Sequence, residues 1–154
     1  MRAVVQRVSD ATVSVVEGNG GEQEVGRLAR GLLIYLGVAK DDTEKDAQYL
    51  AEKISNLRIF LDDSGKMNLS IVDLGLSAMV VSQFTLFADT RRGRRPSFDQ
   101  AAENELAERL YDSFCASVRS LGVAVATGRF RSTMRVRYAN EGPITILLDS
   151  RKLF

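Results

Sequence analysis

The opening segment of the chain carries the hydrophobic patterns of β-strands. Residues 3–8 and 11–16 predict two strands, because β-branched residues cluster in the first and apolar and polar residues alternate in the second. Residues 18–21, Gly-Asn-Gly-Gly, supply the positive φ angles of a hairpin turn that leads into a returning strand at 22–28. Residues 31–38 are almost continuously apolar, which predicts a central strand covered on both faces.

Two helices are predicted by apolar residues that recur at helical spacing. The first opens in the acidic segment 41–46, with Asp42 or Thr43 as its N-cap, because acidic groups suit the positive end of the helix dipole. Its buried face consists of Ala47, Leu50, Ala51, Ile54 and Leu57. The second helix is predicted from about Ser97 to Leu121, after Pro96 and before Gly122. Its apolar ridge is Leu106, Leu110, Phe114 and Val118.

The remaining segments again have strand patterns. The predicted strands cover residues 58–61, 77–87, 123–126, 130–138 and 144–148. The resulting order, β-β-β-β-α-β-α-β-β-β, predicts a single mixed α/β domain over residues 1–154. We expect a β-sheet or partly closed barrel with two helices packed on it.

Length and composition fit one soluble globular domain. The chain has 154 residues, of which 45% are apolar and 27% are charged. Arg2 and Arg7 interrupt the apolar start, which is unlike a signal peptide, and no apolar run approaches the ~20 residues of a membrane helix. We therefore expect a cytoplasmic protein with no membrane association.

The absence of histidine restricts the possible chemistry. Without imidazole there is no Ser-His-Asp triad, no Cys-His pair and no His-ligated zinc. The single cysteine, Cys115, excludes an intramolecular disulfide and a Cys-rich metal site. No metal or cofactor is predicted, although a carboxylate site for a hard cation stays open.

Arginines concentrate in two segments of the second half of the chain. Arg91, Arg92, Arg94 and Arg95 lie in a loop that precedes a predicted helix N-terminus. Such a loop is either a phosphate site or a solvated loop, and the sequence favours neither. In the alternating segment 130–138, Arg131, Arg135 and Arg137 share one face. We favour an exposed face paired with acids of a neighbouring element over a surface for RNA or a partner subunit.

Polar residues end the predicted buried strand at 77–87. Ser82, Gln83 and Thr85 follow a Met-Val-Val run. Buried polar groups need partners, and ligands tend to bind at strand ends, so this segment is either a local hydrogen-bonded cluster or part of a site. Thr85 lacks an adjacent base, so a hydroxyl that positions substrate is favoured over a nucleophile.

A second candidate segment, residues 140–145, joins the last two predicted strands. It contains Gly142 followed by Pro143, one of the two prolines of the chain. From composition alone the segment is a hairpin turn, although glycine also permits close approach of the backbone to a ligand.

In order along the whole chain, these segments resemble the D-aminoacyl-tRNA deacylase family, also called D-tyrosyl-tRNA deacylases. The resemblance is carried by MRAVVQRV at the start, SQFTL at 82–86, GRRPSF at 93–98 and NEGPITILLDS at 140–150. It implies a homodimeric cytoplasmic hydrolase, with no cofactor, that cleaves the ester between a D-amino acid and the 3′-end of tRNA. Glycyl-tRNA, including glycine mischarged on alanine tRNA, is implied as a second substrate.

The resemblance also implies a site shared between two subunits. Gly142–Pro143 is expected to form a cis peptide whose carbonyl groups hold the substrate's α-amino group in the partner's active site, leaving no room for an L side chain. We expect RNA-assisted hydrolysis by the 2′-hydroxyl, with N–H groups near Phe84 and Thr85 as oxyanion donors. The expected catalytic residues are Gln83, Phe84 and Thr85. The expected substrate-binding residues are Ser82, Met134, Asn140, Gly142 and Pro143. The expected tRNA-binding residues are Arg91, Arg92, Arg94 and Arg95.

Two positions bear on specificity within this resemblance. A related family that edits L-alanine from threonine tRNA has a smaller residue in place of Phe84, so Phe84 favours the D-selective branch. After residues 128–130 the family usually continues Gly-Ala-x-Met, whereas this chain has Arg131-Ser132-Thr133-Met134. We expect Arg131 to alter the acceptance of large side chains or the docking of tRNA.

Two other function classes compete with this interpretation. A non-catalytic RNA-binding module would use the arginine loop and strand, and would protect the ester rather than cleave it. A small-molecule amidase or esterase for D-amino acid derivatives would need a nucleophile and a base, and the missing histidine argues against it.

Overall fold

The computed structural model of the chain describes residues 1–18 and 20–154, so Asn19 of the predicted hairpin turn lies outside the described residues. The two helices are α1 (Glu44–Ser55) and α2 (Asn104–Ser120), and Phe84–Phe87 form one short 3-10 helix. The strands are β1 (Arg2–Val16), β2 (Glu22–Leu28), β3 (Gly31–Gly37), β4 (Phe60–Leu61), β5 (Met67–Leu69), β6 (Ser77–Ser82), β7 (Val125–Thr127) and β8 (Met134–Asp149).

One mixed sheet forms most of the fold. Its strand order is β2-β1-β3-β6-β7, and β8 pairs with the other side of β1. Strand β1 is antiparallel to β2, β3 and β8, whereas β3, β6 and β7 are parallel to one another. The sheet is a nearly closed barrel with two helices, which confirms the predicted fold class. Strands β4 and β5 form a separate two-stranded ribbon.

The core has two parts because β3 is covered on both faces, as its continuous apolar pattern predicts. Side chains on one face pack with the helices, including Leu32, Ile34 and Phe114. Side chains on the other face fill the barrel, including Leu33 and Met79. Each such fully buried large side chain contributes about 1.5–3 kcal/mol to stability.

Helix α1 begins where its N-terminal residues predict. The Asp46 carboxylate accepts hydrogen bonds from the backbone N–H of Thr43 at 2.8 Å and from its hydroxyl at 2.9 Å, and Thr43 is the N-cap. Burial opposes ionisation of Asp46, but hydrogen bonds from Ser150 and Thr43 outweigh it, so the pKa of Asp46 is lowered. Of the five predicted apolar positions, Ala47, Leu50, Ala51 and Ile54 are buried.

The prediction that the second helix begins near Ser97 is wrong. Helix α2 begins at Asn104, and Ser97 instead exchanges two backbone hydrogen bonds with Asp89, at 2.7 and 3.0 Å. A residue paired in this way across the arginine loop cannot also form the first turn of a helix. The arginine loop therefore does not lead directly into a helix, and the alternative of a phosphate site at a helix N-terminus is not borne out.

Several strand predictions also have different bounds. Residues 3–8 and 11–16 form one continuous strand, β1, whose pairing with β8 shifts register between Gln6 and Asp10. Strand β6 ends at Ser82, and the residues after Gln83 form the 3-10 helix. Residues 130–133 precede β8 rather than belonging to it.

The predicted hairpin turn at 140–145 is a bulge inside β8. Strand β8 advances from Asn140 to Thr145 while the paired strand β1 advances only from Val8 to Gln6. The extra residues of β8, which include Gly142 and Pro143, therefore bulge out of the ladder. Both residues are exposed to solvent in the isolated chain.

No helix in the part of the chain that the structure describes has the length and the hydrophobicity needed to cross a membrane.

Candidate functional site

A cavity of about 740 Å³ lies where β6 ends, between the start of α2 and the turn that precedes β8. The predicted site residues Ser82, Gln83, Phe84 and Met134 line it. The wall formed by the turn consists of Phe130, Arg131, Ser132 and Thr133, and α2 contributes Asn104, Ala107 and Tyr111. The cavity follows the carboxyl end of a parallel strand, which is a common place for ligands in α/β sheets.

The chain after β6 is held in place by main-chain hydrogen bonds. The Gln83 N–H donates to the carbonyl of Leu36 on β3 at 2.8 Å. The 3-10 helix then starts at Phe84, and the first N–H groups of a helix have no partner inside it. The N–H groups of Phe84 and Thr85 therefore have no acceptor inside this short helix.

Thr85 lies next to the cavity rather than in its wall. Its exposed hydroxyl accepts a hydrogen bond from the side-chain amide of Gln83. An amide does not remove a proton from a hydroxyl at neutral pH, and no described titratable group hydrogen-bonds to Thr85. The arrangement favours a positioning role for Thr85 over a nucleophilic one.

Aromatic side chains shape the cavity. Phe84 is 58% exposed and makes an edge contact with Phe98, with the ring centroids 5.0 Å apart. Tyr111 is buried and donates its hydroxyl hydrogen bond to the Val80 carbonyl at 2.8 Å. Burial raises the pKa of Tyr111 above its ordinary value, and the neighbouring Cys115 raises it further by a smaller amount. Tyr111 is therefore a neutral structural donor at the back of the cavity.

The other predicted substrate-binding residues do not line this cavity in the same chain. The Gly142–Pro143 peptide bond is cis, and Gly142 has a φ of +121°. The side-chain amide of Asn140 donates to the carbonyls of Arg7 at 2.9 Å and Ile144 at 3.0 Å. Asn140 thus fastens the two sides of the β8 bulge within its own chain.

A charge cluster beside the bulge, built on one buried arginine, was not predicted. The Arg7 side chain donates to the Ile59 carbonyl at 2.7 Å. Its Nε lies 3.7 Å from a Glu141 oxygen, which is also 3.6 Å from Arg30 Nε. Arg7 is only 5% exposed, and a buried arginine needs such partners. The one sequence signal was an arginine inside an apolar strand pattern.

The arginine loop is solvent-exposed over all four of its arginines. Arg91 forms hydrogen bonds of 2.9 and 2.6 Å with the Asp89 carboxylate, and these bonds hold the pKa of Asp89 below its ordinary value. The arginines of β8 are also paired: Arg135 and Arg137 both bind Glu22 on β2. The favoured interpretation therefore holds for Arg135 and Arg137, whereas Arg131 precedes the strand and forms no ion pair with a described acidic residue.

No group of three or more acidic or cysteine side chains among the described residues is placed to hold a metal ion.

Comparison with known proteins identifies the family. A sequence model described as D-Tyr-tRNA(Tyr) deacylase matches residues 4–149. This chain belongs to that family. A D-aminoacyl-tRNA deacylase of Roseiflexus sp. (strain RS-1) is 58% identical over 150 residues, 97% of this chain and 94% of the relative. A D-aminoacyl-tRNA deacylase of Thermotoga petrophila is 55% identical over the full length of both chains, 154 residues.

Solved structures share the deacylase fold. A structure described as c-Myc DNA Unwinding Element Binding Protein superposes with a TM-score of 0.88 at 38% identity, covering 97% of this chain and 98% of its own. A probable eukaryotic D-amino acid tRNA deacylase superposes with a TM-score of 0.79 at 21% identity, covering 96% of this chain and 97% of its own. The second likeness supports the fold alone. The family resemblance predicted from the motifs is confirmed.

Proposed function

We propose that this chain hydrolyses the ester bond of D-aminoacyl-tRNA and releases the free D-amino acid and tRNA, with residues 1–154 acting as one deacylase domain. The observation that carries the proposal is family membership over nearly the whole chain together with the SQFT segment at the cavity. Glycyl-tRNA, including glycine mischarged on alanine tRNA, is a second substrate, because glycine has no side chain to exclude.

The reaction uses the substrate's own hydroxyl. Water adds to the ester carbonyl with assistance from the 2′-hydroxyl of the terminal adenosine, and the 3′-oxygen leaves with a proton. The N–H groups of Phe84 and Thr85 are the donors to the developing oxyanion. Gln83 and Thr85 position the substrate, and Ser82 and Met134 contact it from the cavity wall. This division of roles agrees with the absence of histidine.

The complete site needs a second copy of the chain. Gly142 and Pro143 are exposed in the isolated chain and lie outside its own cavity lining. Strand β8 pairs only with β1 in the described sheet, and its side chains Tyr138 and Leu147 are 40% and 58% exposed. These features support a homodimer in which the bulge of one protomer, fixed by Asn140, enters the cavity of its partner.

Selection for D-amino acids follows from this arrangement. The carbonyl groups of the bulge hold the α-amino group, and the rigid main chain collides with an L side chain but not with hydrogen or a D side chain. Selection by exclusion needs no pocket for one particular side chain, so many D-aminoacyl groups are accepted. The exposed arginines 91, 92, 94 and 95 bind tRNA in the cytoplasm.

Release of radiolabelled tyrosine from D-tyrosyl-tRNA and L-tyrosyl-tRNA tests the activity. We expect rapid release from the D ester only. A protein that protects the D ester would be an RNA-binding module, and equal rates on D-tyrosyl-tRNA and on a D-tyrosine methyl ester would indicate a small-molecule esterase.

Two changes, one in the protein and one in the tRNA, test whether Thr85 or the 2′-hydroxyl assists the attack of water on the ester. Thr85→Ala is expected to lower kcat only modestly, whereas a 2′-deoxy terminal adenosine is expected to abolish hydrolysis of the 3′-linked ester. The opposite pattern would establish Thr85 as the nucleophile.

A further inference from the structure

One cation lies in the wall of the cavity. Among the described lining residues, Arg131 carries the only positive charge and Glu103 the only negative charge, and the other lining side chains are apolar or neutral. Arg131 lies in the turn 130–133, and its own side chain is exposed. Any anionic group that accompanies a substrate into the cavity therefore meets one cation in its lining.

Neighbouring arginines have partners, whereas Arg131 has none among the described residues. Arg129 donates to the Gln23 side chain at 3.2 Å, and Arg135 and Arg137 share Glu22. No described residue forms a hydrogen bond or ion pair with the Arg131 side chain. All of its planar N–H donors remain available to an anion, and a guanidinium matches the geometry of phosphate oxygens.

The backbone of Arg131 is in a conformation that favours glycine. Its φ is +56°, and only Lys152 shares a positive φ among the described non-glycine residues. The turn is closed by a hydrogen bond from Ser132 N–H to the Arg129 carbonyl at 3.3 Å. Residues held in this way concentrate at ligand sites, where the side chain has a role that outweighs the backbone cost.

We infer that Arg131 is a substrate-binding residue that contacts a phosphodiester near the 3′-end of the tRNA. The inference rests on the proposed function, because it is the tRNA that brings phosphates to the mouth of the cavity. The contact is made to the backbone of the RNA, so it strengthens binding of every aminoacyl-tRNA alike.

Steady-state kinetics on D-tyrosyl-tRNA test the contact with three variants. Arg131→Asn removes the charge and keeps a residue that tolerates positive φ. Arg131→Lys keeps the charge. Arg137→Asn is the matched control, because it removes an exposed arginine of β8 that already has a carboxylate partner.

For Arg131→Asn we expect KM to rise about tenfold, because the variant loses one hydrogen bond to a charged group. The value of kcat should change less than about twofold. Arg131→Lys should lose less, and Arg137→Asn should match the wild type. The slope of log KM against log salt should be shallower by about 0.7 in Arg131→Asn, the value for one phosphate of a single strand. Equal slopes, or equal KM values for Arg131→Asn and Arg137→Asn, would overturn the inference.

Two further experiments distinguish a phosphate contact from a carboxylate contact, and distinguish failure of this inference from failure of the proposed function. If Arg131→Asn impairs D-aspartyl-tRNA and leaves D-tyrosyl-tRNA unaffected, Arg131 binds the amino acid's carboxylate and the phosphate contact is refuted. If the wild type releases no amino acid, the proposed function fails, and fluorescence anisotropy with uncharged tRNA then tests Arg131 alone. About tenfold weaker binding by Arg131→Asn would support the contact, and unchanged binding would refute it.

Discussion

Replacement of Gly142 by alanine tests the tight geometry of the β8 bulge. Gly142 has a φ of +121°, and a Cβ built there lies 2.8 Å from Ile144 Cγ1 and 2.9 Å from Ile144 N. An L-residue in such a conformation costs about 1–3 kcal/mol. A side-chain rotation cannot relieve the contact with the Ile144 nitrogen, so we expect the free energy of unfolding to fall by about 2–3 kcal/mol, near the upper part of that range.

The matching assay is thermal unfolding followed by circular dichroism. For a chain of this length a loss of about 2–3 kcal/mol lowers Tm by about 4–12 °C. Gly75→Ala is the control, because Gly75 also has a positive φ, +59°, but its Cβ meets nothing within 4 Å. That variant should lose only about 1–2 kcal/mol from the backbone conformation, and it should deacylate D-tyrosyl-tRNA at the wild-type rate.

Activity of Gly142→Ala, measured well below its Tm, separates stability from function. If the bulge contacts substrate in the partner protomer, the rate on D-tyrosyl-tRNA falls even while the variant is folded. A Tm equal to that of Gly75→Ala would refute the steric reasoning. A wild-type rate would refute the role of Gly142 in the site.

Two further predictions concern the helix α2 side of the core. Tyr111→Phe removes the 2.8 Å hydrogen bond to the Val80 carbonyl. Because that carbonyl also accepts a hydrogen bond from Gly128 N–H at 3.3 Å, we expect the free energy of unfolding to fall by only about 1 kcal/mol and Tm to fall by about 2–4 °C. An unchanged Tm would contradict this prediction. Burial raises the pKa of the Cys115 thiol to about 11. This single cysteine should therefore react with Ellman's reagent at pH 8 far more slowly in the native protein than in denaturant, because the thiolate is the reactive form. Equal rates in the two conditions would show that the thiol is accessible in the native protein.

Several features of the molecule were predictable because they depend on neighbours close in sequence. The continuous apolar run of β3 predicted a strand buried on both faces, and the spacing of Leu50 and Ile54 predicted the buried face of α1. The acidic N-terminus of α1 was predicted for the same reason, since a cap involves residues within one turn. The motif containing Gln83 and Phe84 predicted a site, and those residues do line the cavity.

Other features were missed because they depend on backbone pairing that residue type does not reveal. The first residue of α2 could not be read locally, since Ser97 is removed from the helix by its pairing with Asp89. The composition of residues 140–145 predicts a hairpin turn, because only the register against β1 shows that β8 continues on both sides of the bulge at Gly142.

Taken by itself, the sequence determined that the fold is a mixed α/β domain with two helices, which faces of β3 and α1 are apolar, and which family the motifs belong to. These properties follow from side-chain direction and short-range periodicity, which depend only on residues that are close together in the sequence. Only the tertiary structure decided that buried Arg7 lies beside Glu141, that Glu22 pairs with two arginines of β8, and that Arg131 beside the cavity has no ion-pair partner among the described residues. Charge pairing depends on distances of a few ångströms in space, and the sequence separation of two residues does not specify that distance.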